Sequence, residues 1–163
     1  MHALKYDEFD VPARGPFWPA NMEFNLSNVC NLACVMCTGE FSSAIRARRE
    51  KLPPLPRTYG DEFFADLRKY LPHLRNTQFL GGEPFLVREH FRVWDLLIDD
   101  GLSPTVFITT NGTQFHRQVE RVLDRLPVSI TLSLDSIRRE TLEQIRLGVR
   151  YDEVMANLHR FHA

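Results

Sequence analysis

The chain has 163 residues, 44% hydrophobic and 25% charged, with twelve phenylalanines and a formal net charge of −1. That is the size of one ordinary domain with enough apolar mass for a core, and its near-neutral balance points to neither a nucleic acid nor a membrane surface as partner. No apolar run approaches the ~18 residues of a membrane span, and the opening stretch MHALKYDEFDVPARGPFWPA carries acids and prolines but no apolar signal segment, so a reducing, cytoplasmic location is expected.

Residues 1–21 read as an extended lead-in, broken by Pro12, Pro16 and Pro19, and residues 22–163 as one domain. MEFNLS (22–27) alternates Met22, Phe24 and Leu26 as a strand does. All three cysteines follow at once, in CNLACVMC. FSSAIRARREK (41–51) reads as a helix with a basic, solvated side, and LPPLPRTYG (52–60) as loop, because proline blocks both helix and ladder bonding. DEFFADLRKYL (61–71) aligns Phe63, Phe64, Leu67, Tyr70 and Leu71 on a helical face. TQFL (77–80) is a short strand running into GGEP (81–84). VREHFRVWDLLIDDG (87–101) is a helix that Gly101 stops. TVFITTNG (105–112) is a strand, HRQVERVLDRL (116–126) a helix, VSITLSLD (128–135) a strand and YDEVMANLHRF (151–161) a helix.

Strand and helix thus alternate four times, which demands parallel strands with crossover helices. The fold class is α/β, either an open wound sheet or part of a (β/α) barrel. In both, chemistry sits past the C-terminal ends of the strands. The unusual residues fall there: the cysteines after the first strand, Gly81–Pro84 after the second, Asn111–Gly112 after the third, Ser133–Asp135 at the fourth. The fourth strand favours a barrel. Val128, Ile130, Leu132 and Leu134 point one way and Ser129, Thr131, Ser133 and Asp135 the other, as suits a strand lining a partly wet lumen. A solvated edge strand has the same pattern.

Three clustered thiols are one short of a closed structural zinc site. Of the six histidines (His2, His73, His90, His116, His159 and His162), none lies in the cysteine loop. An iron–sulfur cubane held by only three thiolates keeps one iron open, and an open metal position is what catalysis needs.

CNLACVMC is a C-x3-C-x2-C motif that resembles the cluster loop of the radical S-adenosylmethionine (radical SAM) superfamily. GGEP resembles the family's Gly-Gly-Glu-Pro motif and TTNGT (109–113) its third-strand end, while SLDS (133–136), followed by IRLG and YDEVMANL, resembles the fourth-strand end and following helix of relatives with SPASM or Twitch extensions. The resemblance runs from about residue 22 to 161. It implies a 4Fe–4S cluster on Cys30, Cys34 and Cys37, with S-adenosylmethionine chelating the open iron. Gly81, Gly82, Glu83 and Pro84 would hold the cofactor's methionyl end, with Glu83 accepting from the ammonium or fixing the turn. Asn111, Ser133 and Asp135 would add polar contacts. Met36 stands where many relatives place an aromatic beside adenine. Reductive cleavage of the cofactor would give a 5′-deoxyadenosyl radical that abstracts hydrogen from a peptide or small-molecule substrate, with flavodoxin or ferredoxin as reductant. That is an oxidoreductase or maturase chemistry.

The resemblance is incomplete. The family core has six strand–helix units, and about four can be counted here. A partial TIM-like barrel is therefore expected, from a chain truncated at its C-terminus; a dimer of completing halves and a reduced, non-catalytic cluster-binding relative are the other two readings. A structural zinc domain is the remaining alternative. The basic insertion over 41–58 reads as a lid, a peptide contact or an ornament.

Overall fold

The computed structural model describes residues 18–162; most of the expected lead-in, up to residue 17, lies outside the described residues. Four strands form one parallel sheet in the order β1 (Asn21–Phe24), β2 (Asn76–Phe79), β3 (Thr105–Thr110), β4 (Val128–Leu132). The helices are α1 (Ser43–Arg48), α2 (Asp61–Leu67), α3 (Arg88–Asp99), α4 (Arg117–Arg125), α5 (Arg139–Ile145) and α6 (Tyr151–His162). Sequential order in a parallel sheet is that of a barrel wall, since a doubly wound sheet reverses its strand order partway.

One face of the sheet carries the core. Phe24, Phe79, Ile108 and Ile130 share one register row across all four strands. They meet Phe64, Leu67, Val93, Trp94, Leu97, Val119 and Val122 from the helices, with the Phe24 and Phe79 rings stacked at 4.9 Å. The facing row, Glu23, Gln78, Phe107 and Ser129, is exposed. Helices therefore cover one side of the sheet and leave the other open and mostly polar. β4 is at once a strand with a polar inward face and an edge of this sheet.

Several elements are shorter than their sequence periodicity suggests. β1 stops at Phe24, because the chain turns out of the sheet at Asn25 to begin the cysteine loop. α1 spans six residues, capped by Ser42, rather than the whole of 41–51. α2 ends at Leu67 and a 3₁₀ turn, Leu71–His73, takes over at Pro72. β3 and β4 end at Thr110 and Leu132, so Asn111–Gly112 and Ser133–Asp135 lie in the loops beyond them. α5 has no counterpart in the sequence reading. It is seven residues long and buries only Leu142, too little for an apolar stripe to show.

Candidate functional site

The cysteine loop is held from two sides. Leu32 and Cys34 sink into a small second core with Leu142, Val149 and Val154, beneath α5 and α6. Backbone bonds tie it to the same region, Ala33 N–H to the Leu147 carbonyl and Val35 N–H to the Ile145 carbonyl, both at 2.9 Å. On the other side stands α1. The Ser42 hydroxyl donates to the Leu32 carbonyl at 2.6 Å and caps α1 by accepting from Ile45 N–H. The Ser43 hydroxyl brackets Cys30, accepting from its N–H and donating to its carbonyl, both at 3.1 Å. Arg49 donates to the Cys37 carbonyl, and Glu50 accepts from Gly39 N–H at 2.7 Å. Buried Asn28 closes the loop on itself through the Gly39 carbonyl at 2.8 Å.

The Gly-Gly-Glu-Pro turn is laid against that loop. Gly81 has φ +86°, a conformation side chains rarely adopt, with the Asn25 side chain and Ser27 carbonyl where a Cβ would go. At Gly82 a Cβ would overlap the Val29 carbonyl. Gly82 N–H donates to the Ser27 carbonyl at 3.2 Å, and Glu83 N–H to the Val29 carbonyl at 2.7 Å. Two backbones touch here without side chains between them.

Glu83 is fully buried, at 0% exposure. One carboxylate oxygen accepts from the Thr110 hydroxyl at 2.7 Å and Phe85 N–H at 3.2 Å; the other accepts from Asn111 N–H at 2.7 Å. Burial pushes its carboxyl above the ordinary range, against the pull of the Asn111, Thr110 and Phe85 donors and of Arg146. Of the two roles considered for Glu83, fixing the turn is the one its hydrogen bonds serve: it fastens the end of β3 to the turn after β2. Pro84 is buried and opens the 3₁₀ turn Pro84–Leu86 that leads into α3. Asn111 then reaches back to the cysteine loop. Its amide donates to the Asn31 side chain at 3.1 Å and lies 3.9 Å from the Cys30 sulfur, while Thr113 links both asparagines.

These seams surround one cavity of about 250 Å³. Its walls include Cys30, Cys34, Cys37, Met36, Gly81, Gly82, Asn111 and Ser133, so all four strand ends contribute. Glu83 and Pro84 stand behind the wall and Asp135 stands beside it. Asp135 is ion-paired with Arg146, and it is Arg146 that lines the cavity. Arg146, Phe41, Leu80 and Thr109 are wall residues that sequence reasoning missed. Arg146 lay within the noted IRLG stretch, but nothing there says that a short helix will aim a cation at the cysteines. Thr109 was readable, being one register step before the strand end on the lumen side.

The thiols suit a metal cluster. Burial pushes both the Cys30 and the Cys34 thiols up; the Leu32 backbone and Ser42 oppose it at Cys30, and Arg146 opposes it at Cys34. A bound metal reverses that balance, since coordinated thiols deprotonate. Among the described residues no three ligand side chains close on a single ion. The three thiols instead line one cavity.

Comparison with known proteins agrees with this arrangement. The radical SAM superfamily profile matches residues 24–163. GTP 3′,8-cyclase of Chlorobaculum tepidum is 28% identical over 141 residues, 85% of this chain and 39% of that protein. Streptococcus suis SuiB bound to S-adenosylmethionine superposes with a TM-score of 0.65 at 18% identity, over 88% of this chain and 31% of SuiB. The structure of anSMEcpe with bound AdoMet superposes with a TM-score of 0.63 at 21% identity, over 87% of this chain and 40% of that one. The chain thus spans less than half the length of these relatives, and its sheet matches part of the partial TIM barrel of the solved ones. No helix among the described residues is long and apolar enough to cross a membrane. The profile match covers most of the sequence and includes every strand end that builds the cavity; the chain belongs to the radical SAM superfamily, whose cofactors are a 4Fe–4S cluster and S-adenosylmethionine.

Proposed function

We propose that Cys30, Cys34 and Cys37 hold the 4Fe–4S cluster and that S-adenosylmethionine binds in the same cavity, as the initiating site of a radical enzyme. The observation that carries this is the meeting of three thiols with two side-chain-free residues, Gly81 and Gly82, in a single cavity. When bound, the cluster and cofactor supply reductive cleavage of the sulfonium to methionine and a 5′-deoxyadenosyl radical that abstracts a substrate hydrogen.

The chain's own residues divide the remaining work. Gly81 and Gly82 let the cofactor's methionyl end approach the backbone. Arg146 supplies a cation for its carboxylate, and Ser133 and Asn111 supply neutral polar contacts. Met36 and Phe41, 59% and 51% exposed at the rim, offer apolar surface for the adenine. Glu83 and Pro84 keep the glycine turn in place, and Asp135 keeps Arg146 in place. The substrate is a peptide or a small molecule. SuiB has been seen with its precursor peptide SuiA and anSMEcpe with the Cp18Cys peptide, which supports the first; the GTP cyclase supports the second.

The test is anaerobic reconstitution, then incubation with S-adenosylmethionine and dithionite. Wild type is expected to bind about four irons per chain and to release 5′-deoxyadenosine. Cys30→Ala is expected to do neither. Wild type and Cys30→Ala equally free of iron would sink the proposal, and stoichiometric zinc in place of iron would replace it. A cluster without deoxyadenosine would reduce the reading to a cluster-binding module.

A further inference from the structure

The end of β3 meets the cysteine loop at one sulfur. Asn111 is 7% exposed, and its backbone N–H is fixed by the Glu83 carboxylate at 2.7 Å. Its side-chain orientation follows from a single backbone group. The Thr113 N–H can only donate, so the Asn111 atom it meets at 2.9 Å is the carbonyl oxygen. That oxygen also accepts from the Thr113 hydroxyl at 2.7 Å. Having given its proton there, the hydroxyl accepts from the Asn31 amide at 3.0 Å, which turns the Asn31 oxygen toward Asn111.

The NH₂ group of Asn111 therefore faces the cysteine loop, with two hydrogens to place. One goes to the Asn31 oxygen at 3.1 Å. The Cys30 sulfur, 3.9 Å away, is the acceptor for the other; sulfur is larger than oxygen and accepts at longer range. Cys30 is held at this contact by the Ser43 hydroxyl, which bonds both its N–H and its carbonyl at 3.1 Å. Cys37 is placed differently, with its sulfur 3.6 Å from the Thr38 carbonyl, an acceptor. Thiols that the sequence spaces as one motif thus meet unlike partners.

We propose that Asn111 is a positioning residue acting through Cys30: its amide donates to the thiolate sulfur and raises the reduction potential of the cluster held there. The inference rests on the cluster reading of the cysteines, and it gives Asn111 a role distinct from the polar contact to the cofactor named above. When an external reductant delivers one electron, the cluster gains one negative charge and the reductant loses one; no bond forms or breaks. A donor aimed at a ligand sulfur stabilises the more negative, reduced state over the oxidised one. Asn31 and Thr113 keep that donor aimed.

The experiment is a redox titration of the reconstituted full chain with dithionite, read by the electron paramagnetic resonance of the reduced cluster. It is run first without S-adenosylmethionine and then with it. Asn111→Asp keeps the shape and the acceptor for Thr113 but removes the donor. Asn111→Ala removes both, and Thr113→Val removes the hydroxyl that orients the amide. Val93→Ala, in the core behind the sheet, is the control for lost stability. Iron content is measured on every sample.

Without the cofactor, Asn111→Ala is expected to lower the equilibrium constant for reduction about tenfold, a fall of about 59 mV in midpoint potential for a one-electron couple. Asn111→Asp should fall further, because its carboxylate repels the reduced cluster. Thr113→Val should fall by less, and Val93→Ala not at all. Unshifted potentials in both Asn111 variants would overturn the proposal. So would a shift seen only with S-adenosylmethionine present, which leaves Asn111 a cofactor contact alone, or an equal shift in Val93→Ala, which is general loosening. If the Asn111 variants take up no iron, Thr113→Val decides: a lowered potential supports the proposal and an unchanged one overturns it. Wild type without iron would remove the cluster reading, and this proposal with it, whereas a normal wild-type cluster with unshifted variants removes this proposal only.

Discussion

The helix-covered back of the sheet and the rim at its strand ends are held in different ways. Behind it, Phe24, Phe79, Trp94 and Ile108 pack with the helices in a continuous apolar layer. At its rim, the cysteine loop and the glycine turn are held by hydrogen bonds between short polar side chains and backbone, over a second core of only five buried residues. Burial is non-directional and tolerates repacking, whereas a hydrogen-bonded seam depends on geometry. The back of the molecule should therefore set its stability, and the rim its chemistry.

The largest expected effect tests the first half of that division. Phe79 is 0% exposed and touches Phe24, His90 and Trp94. Phe79→Ala should cost about 3–5 kcal/mol of unfolding free energy, read by urea denaturation. Cluster binding by the fraction that stays folded should change little. A variant that unfolds normally but loses iron would show that the back and the rim are not separable.

The layer contains one titratable weak point. His90 is buried among Phe79 and Trp94, and neither ring nitrogen has a hydrogen-bond partner among the described residues. Burial lowers its pKa from 6.5 to about 4, although the carbonyls of Pro84 and Phe24 lie near enough to favour a proton. The folded value lies below the unfolded one, so the unfolded chain takes up a proton that the folded chain refuses. Stability is full above pH 6.5 and is lost as pH falls toward 4. The loss should reach about 2 kcal/mol by pH 5 and saturate near 3 kcal/mol. His90→Phe should remove that difference between pH 7 and pH 5. The same acid loss in His90→Phe would place its origin elsewhere.

This division also explains what could be read in the sequence. The apolar rows of β2, β3 and β4 and the helix stripes are periodic, and periodicity survives in one dimension. The strand ends were legible because GGEP and TNG break that periodicity. Helix lengths were over-read where apolar spacing runs on past the last helical bond, as at Tyr70 and Leu71 beyond the end of α2. The seams were not legible. Asn111 and Thr113 stood out as part of TTNGT, but nothing in sequence joins them to Asn31, and only the fold brings residues separated by eighty positions into contact. Arg146 was hidden for the same reason, since its aim depends on a short helix with a single buried residue. Glu83 was visible, but the donors its carboxylate accepts from, the Thr110 hydroxyl and Asn111 N–H, stand at the end of another strand.

The smallest expected change in stability is the one that most sharpens the contrast. At Gly82 a methyl group would occupy the position of the Val29 carbonyl, so Gly82→Ala must open the seam between the two loops. The Gly82-to-Ser27 and Glu83-to-Val29 hydrogen bonds lengthen together. Each contributes about 1 kcal/mol, so stability should fall by only about 2 kcal/mol. Opening the seam also moves the backbone that the cofactor must approach. S-adenosylmethionine should bind the reconstituted variant about tenfold more weakly or worse, the equivalent of at least about 1.4 kcal/mol. Gly60→Ala, where the added methyl group meets nothing, is the control and should leave cofactor binding unchanged. Equilibrium dialysis measures the affinity, and urea denaturation measures the stability. If Gly82→Ala lost stability like Phe79→Ala but kept its affinity, the rim would belong to the core after all, and the assignment of chemistry to the seam would fail.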